Sequence, residues 1–78
     1  MFHMEQPSYP PSLVAARERG NLSQEELASK LNITRTAISQ WETGTTMPSG
    51  SSRQLLALTL DIPVAVIDSW FAKVEAVA

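Results

Sequence analysis

This sequence predicts an all-α domain of five short helices, and three observations lead to that expectation. Apolar residues recur at helical steps of three and four, as in Leu27 and Leu31 or Ile67, Phe71 and Val74. Ser12, Ser23 and Thr34 each stand just ahead of such a segment, where a hydroxyl oxygen can accept a bond from an unpaired helix-start N–H. Gly20-Asn21, Asn32, Gly44 and the stretch from Asp61 to Pro63 separate the segments, all residues that accept turn geometry or stop a helix.

The first helix is expected from Ser12 as cap to about Arg19, with Leu13 and Ala16 inward and Val14 at the margin. Ser23 opens the second, and Glu26 three residues later completes the S-x-x-E pattern of a capping box. Leu27 and Leu31 form its apolar stripe, and Ala28 between them permits a close helix crossing. Thr34 caps the third helix and Gly44 ends it. Ala37, Ile38 and Trp41 face one way, which leaves Arg35, Thr36, Ser39 and Gln40 outward.

A fourth helix is expected from about Ser51 to Leu60, with Leu55, Leu56, Ala57 and Leu60 toward the core and a weak start at Gly50 and the serines. The last runs from about Val64 to Ala76. Val64, Ile67, Phe71 and Val74 make one stripe, and Val66, Trp70 and Val77 make a second. A helix apolar on two sides cannot hide both against one small core, so a second copy is expected to cover Val66, Ile67, Trp70, Phe71 and Val74. Residues 1–11, with Pro7, Pro10 and Pro11 and no apolar period, read as a disordered arm; residues 12–78 are the folded domain.

Composition narrows the function. With 78 residues there is room for one domain. The absence of cysteine removes disulfides, thiolate catalysis and cysteine-based zinc sites. His3 is the single histidine and lies in the arm, so neither a metal site nor a catalytic base is expected. The serines have no base to activate them, and no phosphate loop occurs, so enzymatic activity and cofactors are not expected. The longest apolar run, Ile62 to Ile67, is far below the roughly 20 residues of a membrane span. No export signal is read, and a cytoplasmic protein is expected.

The formal charge of −2 argues against an unspecific nucleic-acid binder, but the charge is unevenly placed. Leu13 to Leu60 holds Arg17, Arg19, Lys30, Arg35 and Arg53 against four glutamates, whereas Asp61, Asp68 and Glu75 near the end face only Lys73. A second helix of a tight pair, polar outside and apolar inside, is built as a helix that enters a DNA groove must be.

The run Leu27-Ala28-x-x-Leu31-x-Ile33-x-x-x-x-Ile38-Ser39-x-Trp41-Glu42-x-Gly44, preceded by Ser23-Gln24-Glu25-Glu26, resembles the XRE family of helix-turn-helix domains, the Cro/cI phage-repressor type. The likeness spans about Leu13 to Ile67. It implies a compact five-helix, lambda-repressor-like domain that binds double-stranded DNA as a homodimer on an inverted repeat, through a recognition helix at 34–43.

Carried over by that likeness, Gln24 would touch a phosphate or the first bases. Thr34, Arg35, Thr36 and Gln40, with Ser39 nearby, would read base edges, and Arg17 and Glu42 would form an ion pair that aims the recognition helix. Arginine can pair doubly with guanine and glutamine with adenine. Trp41 is read as core. The sequence departs from the family pattern at Asp61, where glycine is common, and at Gly50 and Arg53, where apolar residues are common, so a less well packed fourth helix is expected. Thr45 and Thr46 replace basic residues after Gly44, which lowers the expected affinity. A repressor-like transcription regulator is the leading expectation. The alternatives are a DNA-binding antitoxin or a protein-interaction module that uses the apolar C-terminal helix.

Overall fold

Each of the first four helices begins where the sequence supplies a hydroxyl. In the computed structural model, which describes residues 8–76 and side chains as far as Ala72, these are α1 Leu13–Arg19, α2 Gln24–Leu31, α3 Arg35–Thr43 and α4 Gly50–Leu60; α5 Val64–Ala76 follows Pro63. Ser12, Ser23, Thr34 and Ser49 accept from the N–H groups of Ala15, Glu26, Ala37 and Ser52 at 3.0–3.2 Å. No strand occurs among the described residues.

The helix ends need left-handed backbone, and mostly non-glycine residues provide it. Asn21, Asn32 and Asp61 have φ of 62°, 57° and 57°, and Gly44 has φ 80°. After α1 the left-handed residue is Asn21, since Gly20 itself stays at φ −82°. Asp61 thus makes the corner after α4 in the conformation glycine would adopt more cheaply.

α2 packs most extensively on α3 and α4 on α5, while α2 also meets α4 and α1 meets α3. Leu27, Ile38, Leu56 and Ile67 are fully enclosed at the centre, joined by Leu13, Ala16, Leu31, Trp41, Ile62 and Phe71. Burial of each large side chain contributes about 1.5–3 kcal/mol, enough to hold helices too short to stand alone.

Several expectations need correction, and most concern the second half. Ile67 and Phe71, expected at an intermolecular seam, are buried in the chain's own core. Val66 and Trp70 are half-buried against that core, and the Val74 side chain lies outside the described residues. Ile67 and Phe71 join the helical core, and Trp70 is partly covered by the segment read as a disordered arm. Pro10 is buried and its carbonyl accepts from Trp70 Nε1 at 3.0 Å, while Arg19 donates to the Ser8 carbonyl at 3.2 Å. Pro10 therefore meets the second α5 stripe at Trp70; the arm residues before Ser8 lie outside the described ones.

Leu55, expected inward, is 45% exposed, and Leu58 is 80% exposed. The α4 core position falls on Leu56, with Ala57 and Leu60 partly buried. Arg53 does not loosen α4. It is buried, donates to the Pro48 carbonyl at 3.1 Å, and pairs with Asp68 of α5 at 3.0 Å.

Candidate nucleic-acid interface

The α2–α3 unit is fixed by local bonds before any tertiary contact is counted. Ser23 and Glu26 bond reciprocally, Ser23 N–H to Glu26 Oε1 at 2.8 Å and Glu26 N–H to Ser23 Oγ at 3.0 Å. The bond from Ser23 N–H first, and then the Ser23 hydroxyl, hold the Glu26 carboxyl below the usual carboxylate range, and the nearby Lys30 charge adds to this. At the turn, left-handed Asn32 lets Ile33 N–H reach back to the Ala28 carbonyl at 3.0 Å, closing α2 just before Thr34 opens α3.

The outer face of α3 carries Arg35 and Thr36, both exposed, with Ser39 and Gln40 half-buried beside them. Thr34 is exposed at its start. The Thr34 Oγ1 accepts from Ala37 N–H, so its hydroxyl proton can still be donated outward. Ile38 and Trp41 turn the opposite way into the core. The one acid of α3, Glu42, has a side chain only 6% exposed, so the helix shows no negative charge to an approaching phosphate.

Glu42 is the centre of a network joining three helices. Arg17 of α1 donates Nε to Glu42 Oε2 at 2.6 Å and Nη1 to the Leu22 carbonyl at 2.9 Å. The bond to Glu42 raises the Arg17 pKa above its ordinary value despite an opposing contribution from burial. Gln24, the first residue of α2, donates Nε2 to Glu42 Oε1 at 2.8 Å, and its Oε1 accepts from Arg35 Nε at 3.3 Å. The amide orientation is chemically self-consistent, donor to carboxylate and acceptor to guanidinium.

A connected path therefore runs from Arg17 through Glu42 and Gln24 to Arg35, 2.6–3.3 Å at each step. Of the expected residues, Arg35, Thr36, Ser39 and Gln40 lie on α3 and Thr34 caps it, Gln24 opens α2 and bonds to Arg35, and Arg17 is paired with Glu42 near the end of α3. Half-buried Gln24 bridges Glu42 and Arg35, a role that local sequence does not signal. Arg53 was also missed as a structural centre. Its spacing from Leu56 and Leu60 on one α4 stripe, with Asp68 on the next helix, is the only sequence sign of it.

Among the described residues no cluster of His, Asp or Glu could hold a metal ion, and no helix is long and apolar enough to cross a membrane. Comparison with curated proteins and with solved structures found no match. The helix-turn-helix family model HTH_3 matches residues 13–67, from the first residue of α1 into α5, and so takes in the whole α2–α3 unit and the Arg17–Glu42 pair. With the match covering most of the chain, the chain belongs to the HTH_3 family, helix-turn-helix domains of XRE, Cro/cI type that bind DNA in transcription regulation and are not enzymes.

Proposed function

We propose that the protein is a repressor-like regulator that binds an inverted-repeat operator as a homodimer, each copy placing the recognition helix, residues 34–43, in the major groove. The observation behind this reading is the α3 face, where Arg35, Thr36, Ser39 and Gln40 project without an exposed acid and Arg35 is held by Gln24. Arg35 is suited to a guanine edge and Gln40 to an adenine edge. Thr36 suits a thymine methyl, and Gln24 and Thr34 suit phosphates or flanking bases.

The homodimer part is supported by apolar surface that the core does not absorb. With Ile67 and Phe71 enclosed, the exposed large apolar side chains among the described residues are Tyr9, Met47, Leu55, Leu58 and Val64, and Val66 and Trp70 are half-buried. Leu58 and Val64 line a groove with Tyr9, Ile62 and Pro63 at the α4–α5 corner. The same surface favours a second reading, in which a different protein docks on the C-terminal helices, as an antitoxin's partner would.

Random-duplex selection with the purified protein at two salt concentrations tests both parts. The expected product is an inverted repeat with half-sites about one helical turn, roughly 34 Å, apart. Enrichment of an isolated half-site by a monomeric protein refutes the homodimer, and no enrichment at either salt refutes specific readout.

A further inference from the structure

Arg53 joins three parts of the fold from a nearly enclosed position, with 8% of the residue exposed. Its Nε donates to the Pro48 carbonyl, its Nη1 to Asp68 Oδ1 on α5, and its Nη2 toward Met47 Sδ at 3.8 Å. Its Cζ stands 5.3 Å from the centroid of the Phe71 ring, within cation–π range. Met47 and Pro48 belong to the turn by which the chain leaves α3. On the opposite side, Arg17 holds Glu42, the penultimate residue of α3. The C-terminal exit of α3 is thus gripped by two guanidinium groups, one tied to α1 and α2 and the other to α4 and α5.

Stability alone does not account for an arginine here. Asp68 is about half exposed, at 52% of its side chain, so the pair is partly screened. Well-packed apolar residues commonly replace a buried pair without loss. What a guanidinium adds is a rigid planar fork whose donors point to the turn and to α5 at once. We propose that Arg53 is a positioning residue for DNA binding: it fixes the exit turn of the recognition helix against α5 and so sets how α3 meets the duplex. This rests on α3 being the base-reading helix.

The test compares Arg53→Met, Arg53→Lys and Asp68→Asn with the wild type in three measurements. These are thermal midpoint, amide hydrogen exchange along residues 44–49, and the ratio of affinities for the selected duplex and a scrambled one. In Arg53→Met the turn amides should exchange about tenfold faster and the affinity ratio fall about tenfold, while α1 and α2 amides keep their protection. Lysine keeps a charge for Asp68 but loses the fork, so the ratio should stay low even where the midpoint recovers. A residue that only stabilises would lower the midpoint and leave the ratio, measured well below it, unchanged. A wild-type ratio in Arg53→Met, or full recovery with lysine, overturns the proposal.

If Arg53→Met does not fold, Asp68→Asn decides at a half-exposed position. Roughly threefold effects on exchange and ratio are expected, and no change in either overturns the proposal. A wild type that selects no sequence defeats the base-reading premise separately. The exchange data then still decide the hold on the turn, since unchanged turn exchange in the variants overturns it.

Discussion

Replacing Arg17 with methionine removes the cation beside Glu42 and keeps most of the side-chain length. The Glu42 carboxylate, 6% exposed, would retain the Gln24 donor at 2.8 Å, and the Leu22 carbonyl would lose its partner at 2.9 Å. Breaking a fully buried pair costs about 3–5 kcal/mol. Here Arg17 is itself 13% exposed and Gln24 stays, so about 2–3 kcal/mol is expected. In a domain of this size that lowers the melting midpoint by roughly 10–20 °C.

Adding Glu42→Leu removes the stranded acid and should restore stability to within about 1 kcal/mol of wild type. It should not restore DNA discrimination, because Gln24 then has no anchor and Arg35 no fixed acceptor. Circular dichroism melts and duplex-binding anisotropy on the same samples read the two effects separately. A single variant melting within about 3 °C of wild type, or a double variant no more stable than the single, would refute the coupling. The raised Arg17 pKa means this contribution is present below the ordinary arginine range and is lost only as pH rises through the folded-state value. The result should therefore not depend on pH near neutrality.

Arg35→Ala and Gln40→Ala should each relax preference at one base pair by about 1–3 kcal/mol; anisotropy on matched and mismatched duplexes checks this, and equal loss on every duplex would reassign them to backbone contacts. Leu58→Glu should leave the melting midpoint almost unchanged and raise the dimer dissociation constant about tenfold or more by sedimentation. An unchanged constant would move the seam away from the α4–α5 corner. Because Glu26 is held below the usual carboxylate range, its contribution is full above the ordinary glutamate pKa and is lost as pH falls through the lower folded-state value. Glu26→Gln should therefore flatten that part of the acid dependence of the midpoint, and an equally steep profile would count against the capping bond. Gly44→Ala, at φ 80°, should destabilise by about 1 kcal/mol, whereas Gly50→Ala in the first turn of α4, with open space around it, should stabilise by about 0.5–1 kcal/mol. Chemical denaturation measures both, and like signs would refute the backbone argument.

What was legible in the sequence divides by the distance over which each feature is determined. The caps at Ser12, Ser23 and Thr34, the closing box at Glu26 and the left-handed Asn32 are settled by partners three to five residues away, so the α2–α3 unit could be read directly. In α4 the run Leu55-Leu56-Ala57-Leu58 puts apolar residues all around the helix, and period alone cannot choose which face is inward. Tertiary packing chooses Leu56 and leaves Leu58 outside. The contact of Trp70 with Pro10 spans 60 residues and leaves no local mark, and the Arg53–Asp68 contact, which spans 15, is signalled only by the place of Arg53 on the Leu56–Leu60 stripe.

The Arg17–Glu42 pair, 25 residues apart, was legible only through family likeness. Local chemistry therefore specifies that α3 forms and which residues it shows. The long-range contacts of Arg17, Gln24 and Arg53 tie that helix and its exit turn to α1, α2 and α5. If α3 reads bases as proposed, two chains with the same α3 sequence should prefer different operators when those three positions differ, because base contacts depend on where the helix lies as much as on what it carries.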